Sequence, residues 1–176
     1  MKKDLRQKLK KVKLLLMDVD GVLTNAQIVY DDQGKEIKFF HVHDGFGIVL
    51  LRKSGVKTAI LTARYSKAVD VRAKDLNIDK VIQEANPKLP SYKKILNKFK
   101  LKDEEVCFVA DDLTDLSVFL RVGVSIAVPH AVSEIKRKAD YITKHEGGKG
   151  AIREVVEMIL TAQGKWKNLV ESFQIS

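Results

Sequence analysis

The sequence predicts an α/β fold: one domain built on a doubly wound, mainly parallel, Rossmann-like sheet. Two observations carry this. Short apolar runs alternate with segments of helical periodicity, the pattern of strand, crossover helix and next strand. Three of those runs end in polar groups, at Asp18/Asp20, Thr62 and Asp111/Asp112/Asp115. Right-handed crossovers bring such strand ends to one edge of the sheet, where folds of this kind bind ligands.

The elements follow in chain order. Residues 2–13 are rich in Lys and Arg, but Leu5, Leu9 and Val12 recur at helical spacing, so a short amphipathic helix is expected, read as a solvated lead-in to the first strand. Leu14 to Met17 is a doubly buried strand that delivers Asp18, Asp20, Gly21 and Thr24 at its end. Those acids read either as an Asp-Gly turn or as a site, because carboxylates at a buried rim call for a cation. The β-rich segments 26–30 and 36–42 flank Asp31-Asp32-Gln33-Gly34 and read as a hairpin. His41 and His43 then share a strand face, which would suit a metal, but zinc normally takes four ligands and no third lies nearby.

A helix over 44–54 closes at Gly55, a strand over 56–61 leads to Thr62-Ala63-Arg64, and a helix covers 66–76. A short strand at 80–82 precedes a loop carrying Lys88, and Pro87 and Pro90 open a helix that runs to Phe99. Strands at 106–110, 124–128 and 139–143 alternate with helices near 118–122 and 131–138. Gly147-Gly148-Lys149-Gly150 precedes a helix over 151–162 and is either an anion-facing loop or a plain lead-in. Trp166, Leu169, Val170 and Phe173 form a helical stripe that packs on its own domain or on a neighbouring subunit. The domain is thus assigned to 1–162, with the hairpin insertion at about 25–43 and a C-terminal tail at 163–176.

Composition narrows the function. The chain has 176 residues and is 45% hydrophobic, so it can bury a sizeable core. No apolar run is long enough for a membrane span and no secretory leader is evident, so a cytoplasmic location with no membrane partner is expected. The single cysteine, Cys107, lies in an apolar run and reads as a core residue. A net charge of +9 arises from 32 Lys+Arg against 23 Asp+Glu, but the basic residues are dispersed and not interleaved with aromatics. An anionic small substrate therefore explains the charge better than nucleic acid, which is not expected as a partner. Acids, a threonine and a lysine gathered at one edge suit phosphoryl transfer with Mg2+, which prefers carboxylate oxygen and is shared with substrate phosphate.

Asp18-Val19-Asp20-Gly21-Val22, Leu61-Thr62-Ala63-Arg64, Lys88 and Ala110-Asp111-Asp112-Leu113-Thr114-Asp115 resemble, in order and spacing, the motifs of the haloacid dehalogenase superfamily of phosphatases. The segments Phe40 to Gly47, Gly147 to Glu154 and Ala162 to Lys165 are similar to its 3-deoxy-D-manno-octulosonate 8-phosphate phosphatase branch. The resemblance implies that Asp18 is the nucleophile and a magnesium ligand. It implies that Asp20 is the acid/base, ligating magnesium through its carbonyl, and that Asp111 is a further ligand. Thr62 and the Ala63 amide would hold phosphoryl oxygens, with Lys88 tying them to Asp18. Asp112 and Asp115 would fix the magnesium waters and Lys88, while Arg64, Ser66 and Arg72 would face the substrate or the site entrance.

The implied reaction is hydrolysis of the phosphate from an eight-carbon 2-keto-3-deoxy sugar acid through an aspartyl-phosphate, a step of lipopolysaccharide precursor synthesis. A nine-carbon relative, another small phosphomonoester, and a non-catalytic magnesium-binding assembly module are the alternatives. The branch implies a homotetramer without a large cap domain, in which hairpins assemble and a neighbour's C-terminal tail helps to close the site. Three positions depart from the pattern: Ala110 and Glu84 stand where glycine is usual, and His43 where arginine is common.

Overall fold

The computed structural model describes residues 3–174. The first residue of the helix expected over 2–13 and the last two of the tail expected over 163–176 lie outside the described residues. Six strands form one parallel sheet: β1 (Leu14–Met17), β4 (Lys57–Leu61), β5 (Lys80–Ile82), β6 (Val106–Ala110), β7 (Val124–Ala127) and β8 (Tyr141–Ile142). Their spatial order is β5-β4-β1-β6-β7-β8, and every pairing is parallel. The chain winds one way from β1 through β4 to β5 and the other way from β6 to β8. The reversal lies beside β1, and the carboxyl ends of β1, β4 and β6 are neighbours at that point.

The central strands are apolar because they are covered on both faces. All four residues of β1 and all five of β6 are buried, which calls for continuous apolar runs and not alternation. The two faces are covered by helices α2 (Val42–Lys53), α3 (Lys67–Asp75), α4 (Lys88–Phe99), α5 (Leu116–Phe119), α6 (Ser133–Lys138) and α7 (Ala151–Ala162). Of these, α7 buries Ala151, Ile152, Val155, Val156, Ile159 and Leu160, an i, i+4, i+8 stripe laid against α2.

The opening helix, α1 (Lys3–Lys10), is more than a solvated lead-in. Leu5, Leu9 and Val12 are buried, and α1 packs on α7 and β7. The lysines that suggested solvation occupy only its outer face. The helix near 118–122 is shorter than its pattern: a 3-10 turn at Leu113–Asp115 precedes the four residues of α5.

The amino ends of the strands form a second rim, where acids meet bases. Asp79 pairs with Lys57 at 3.1 Å and accepts from the Thr58 amide, Glu105 pairs with Lys13 at 2.6 Å, and Asp140 pairs with Lys8 at 2.6 Å.

The hairpin is real but smaller than the sequence suggests, pairing β2 (Val29–Tyr30) with β3 (Glu36–Ile37). The run expected to continue it as strand to residue 42 instead bends, and α2 starts at Val42. His43 is therefore exposed on a helix while His41 is the extended residue before it, so the two do not share a strand face. Period-2 reading failed here because tertiary packing overrides strand propensity. Gly45 and Gly47 let α2 approach Arg72 and Arg153 so closely that a Cβ would lie 2.1 and 3.2 Å from those side chains.

The tail folds as α8 (Trp166–Ser172), with Trp166 and Leu169 packed against the core. Val170 and Phe173 remain exposed, although Phe173 meets Phe46 edge to face at 5.8 Å. The stripe is divided: half is covered by its own domain.

Candidate active site

Three adjacent strand ends and one helix start build the site. The Asp18 amide donates to the Val109 carbonyl at 3.1 Å, which continues the β1–β6 ladder one residue beyond the strand and fixes the carboxylate at the rim. Asp111 follows β6 directly, and Asp115 is brought back towards it by the 3-10 turn. The carboxylates of Asp18, Asp111 and Asp115 offer oxygens that lie within 4.8 Å of one another. Lys88, at the start of α4, reaches this cluster with its ammonium 3.0 Å from Asp18 Oδ1 and hydrogen-bonded to Asp115. The Asp18, Asp115 and Lys88 side chains are all almost fully buried.

Three carboxylates and one ammonium in a buried cluster leave negative charge uncompensated. Desolvation, with the Asp115 charge adding to it and Lys88 opposing, pushes Asp18 up to about 7. Desolvation and the Asp18 charge push Asp111 up to about 7. Burial also raises Asp115, against the pull of Lys88. Burial would lower the Lys88 ammonium, but the charges of Asp18 and Asp115 outweigh it and hold its pKa above the ordinary value. An all-oxygen, electron-rich cluster of this kind fits a hard divalent cation such as magnesium.

Gly21 has φ +84, and a Cβ there would sit 2.0 Å from Asp111 Oδ2. Only glycine lets the turn after Asp20 pass so close to the carboxylate.

Thr62 is buried at the end of β4, its amide donating to the Ile82 carbonyl at 3.0 Å and its carbonyl accepting from Ala85 at 2.9 Å. Ala63 follows it in the loop at the same rim, beside Arg64. The Asp20 carboxylate is not part of the three-acid cluster; it is hydrogen-bonded to Lys38, and its other oxygen lies 3.6 Å from Arg64 Nε. Asp112 is exposed and caps the 3-10 turn, accepting from the Leu113 amide at 2.7 Å.

Ser66 and Arg72 are set apart from the catalytic cluster, in a groove of about 940 Å³ between β3 and α3 that Phe40, Val42, Tyr65 and Val71 also line. Arg72 donates to the His41 carbonyl at 3.4 Å and lies over the Phe40 ring.

Two residues at the rim escaped the sequence reading. Lys38 has a side chain 1% exposed, bonded to Asp20 and 3.2 Å from Glu36, and Glu36 in turn accepts from Arg64 at 2.8 Å. Burial raises the Glu36 carboxyl, but hydrogen bonds from its neighbours hold it below its ordinary value. The signal was present: Glu36 and Lys38 are two apart and so face one way from a strand.

In the loop 147–150 the amides of Gly148, Lys149 and Gly150 are taken by acceptors of the chain itself and not turned to an anion. The Gly148 amide donates to the Val22 carbonyl at 3.0 Å, and those of Gly150 and Arg153 donate to Asp44. Glu84 adopts φ +55, a conformation that favours glycine and accounts for its oddity at that place.

A profile of haloacid dehalogenase-like hydrolases matches residues 57–155. The 3-deoxy-D-manno-octulosonate 8-phosphate phosphatase of Escherichia coli strain K12 is 40% identical over 162 residues, 92% of this chain and 86% of that protein. The chain belongs to this phosphatase family of haloacid dehalogenase-like hydrolases. Solved structures of family members agree. The phosphatase from Moraxella catarrhalis, in complex with magnesium ion, phosphate ion and a KDO molecule, superposes with a TM-score of 0.96 at 39% identity, covering 98% of this chain and 99% of that one. The cobalt-bound phosphatase from Haemophilus influenzae gives a TM-score of 0.88 at 38% identity, covering 91% and 94%. This chain thus shares its overall fold with these two solved phosphatases.

Proposed function

We propose that this chain hydrolyses 3-deoxy-D-manno-octulosonate 8-phosphate to the free sugar acid and phosphate, with magnesium as cofactor. The observation that carries the reading is the buried cluster of Asp18, Asp111, Asp115 and Lys88 at the reversal of strand order, in a chain 40% identical to named phosphatases of that ester. Asp18, the Asp20 carbonyl and Asp111 would hold magnesium, which supplies positive charge against the phosphoryl oxygens.

An Asp18 oxygen attacks phosphorus and the bond to the ester oxygen breaks, leaving phosphate on Asp18. Asp20 gives its proton to the departing sugar oxygen. It then takes a proton from the water that attacks the phospho-Asp18, releasing phosphate and restoring Asp18 as a carboxylate and Asp20 as an acid. Thr62 Oγ1 and the Ala63 amide donate to phosphoryl oxygens, and Lys88 holds Asp18 and offsets charge as it builds on the phosphoryl group. Asp115 holds Lys88 and Asp112 shapes the turn beneath them. Arg64, with Ser66 and Arg72 further along the groove, meets the sugar acid.

The assembly reading follows from uncovered surface. Ile28, Tyr30, Ile37 and Phe39 are exposed on a hairpin of two very short strands, and such a hairpin is marginally stable alone. Packing of hairpins in a homotetramer covers them, and the exposed Val170 and Phe173 of the 163–176 tail dock on a neighbour. Residues 1–162 act as the single catalytic domain. Among the described residues no helix is long and apolar enough to cross a membrane. The reading as a cytoplasmic step of lipopolysaccharide precursor synthesis rests on the ester for which the similar phosphatases are named.

The test is phosphate release from the eight-carbon and nine-carbon sugar acid phosphates, side by side, with and without magnesium. Faster release from the eight-carbon ester, strict magnesium dependence and loss of turnover in Asp18→Asn are expected; turnover in Asp18→Asn would end the reading.

A further inference from the structure

Among the described residues three aspartates are buried, and one of them, Asp44 at 2% exposed, lies outside the catalytic cluster. It sits in the first turn of α2, yet its bonds go to α7, more than a hundred residues away in sequence. Asp44 Oδ1 accepts from the Arg153 amide at 2.7 Å and Oδ2 from the Gly150 amide at 3.2 Å. These are amides that a helix start leaves unpaired, and Gly150 has no side chain with which to cap its own helix. The carboxylate therefore caps α7 from a distance, with its charge against the positive end of the helix dipole.

The loop entering α7 touches the catalytic turn. Gly147 lies so close to the Gly21 carbonyl that a Cβ would be 1.7 Å from its oxygen, and a Cβ on Gly148 would be 2.6 Å from the Thr24 carbonyl carbon. The Gly148 amide donates to the Val22 carbonyl at 3.0 Å. Gly21 is in turn in contact range of Asp111. The upstream end of the loop is anchored separately, by Glu154 accepting from the Lys144 and His145 amides at 3.0 and 3.1 Å.

We propose that Asp44 is a positioning residue for the catalytic centre. By fixing Gly150 it sets the height at which Gly147 and Gly148 press on the turn 20–24, and so where the Asp20 carbonyl stands relative to Asp18 and Asp111. The inference rests on the magnesium reading above and adds a residue to it that touches neither metal nor substrate.

The experiment is magnesium titration by calorimetry on the full chain, well below its melting temperature, with hydrogen exchange of the Gly148 amide as a second readout. Asp44→Ala should weaken magnesium binding roughly tenfold or more, the usual scale for groups that orient metal ligands, and speed exchange at Gly148. Asp44→Asn, which keeps one acceptor oxygen, should fall between it and the parent. Asp79→Ala, at the opposite rim, should lower the melting temperature while leaving magnesium affinity and Gly148 exchange unchanged.

If Asp44→Ala lowers the melting temperature as Asp79→Ala does but binds magnesium like the parent, Asp44 is only a structural cap and the inference falls. Should Asp44→Ala not fold, Asp44→Asn decides: parental magnesium affinity overturns the inference, weakened affinity with faster Gly148 exchange supports it. A parent chain that binds no magnesium overturns the functional reading instead, so the two failures are distinguishable.

Discussion

Asp18 and Asp111 each have a folded pKa of about 7 against an ordinary value of 3.8. A carboxyl raised in the fold favours folding below its unfolded pKa, and that contribution is lost as pH rises through the folded one. Metal-free protein should therefore lose stability progressively from about pH 4 to pH 7 through these two groups. Magnesium, which takes the ionised forms, should restore it. The rise in melting temperature on adding magnesium is expected to be larger at pH 8 than at pH 6; equal rises would mean the acids are already ionised without metal.

Lys88 makes the complementary case. Lys88→Met leaves Asp18 and Asp115 without their shared cation, so metal-free protein should lose about 3 kcal/mol in urea unfolding, with turnover lost as well. The identity of these residues was legible in the sequence because each sits one or a few positions beyond a recognisable strand, or at a proline-marked helix start. Their mutual distances were not, since these come from strand order. Lys38 and Glu36 were missed for a different reason: the hairpin looked like an insertion, although its own alternation places both side chains on one face.

At the scale of elements, strands β4, β5 and β6 and helices α4 and α7 fall within a residue of their sequence-based bounds, because apolar runs and Pro or Gly stops mark them directly. The hairpin end was misread because Phe39 to Val42 has strand composition, while the start of α2 is dictated by contacts with α3 and α7. The role of Gly147 to Gly150 was equally hidden, since two glycines pressed on another loop look in sequence like two glycines left loose.

Gly21→Ala tests the same geometry from the other side: with φ +84 and Asp111 2.0 Å from the new Cβ, magnesium affinity should fall by about tenfold or more in calorimetry. Glu154 ties Lys144, His145 and Tyr141 to α7. Desolvation opposes ionisation of Glu154, but hydrogen bonds from His145, Tyr141 and the loop amides hold its carboxyl below the ordinary 4.5. A depressed carboxyl contributes stability above its unfolded pKa that disappears as pH falls through the folded one. Glu154→Gln should thus flatten the acid side of the stability profile below about pH 4.5, read by thermal melts across pH.

For the whole molecule, the alternation of strands and helices was enough to predict a doubly wound sheet, whereas the number of subunits depends on surface that no periodicity describes. In the proposed tetramer the exposed hairpin residues supply that surface. Phe39→Asp, at a position 63% exposed, should leave the circular dichroism spectrum unchanged and reduce the mass measured by light scattering. An unchanged mass would place the subunit contact elsewhere.

The two rims of the sheet also divide the molecule's acids by the cost of losing them. Those at the amino ends, Asp79, Glu105 and Asp140, are matched by lysines and backbone amides, and the chain is more durable for having them. Asp18, Asp111 and Asp115 at the carboxyl ends are crowded together with one lysine between them, and the resting chain is less durable for having them. Substitution should therefore split into opposite outcomes: Asp111→Asn yields a metal-free protein that melts higher and does no chemistry, Asp79→Asn one that melts lower and still turns over. The site is, in this sense, a standing debt that selection has kept because the reaction requires it.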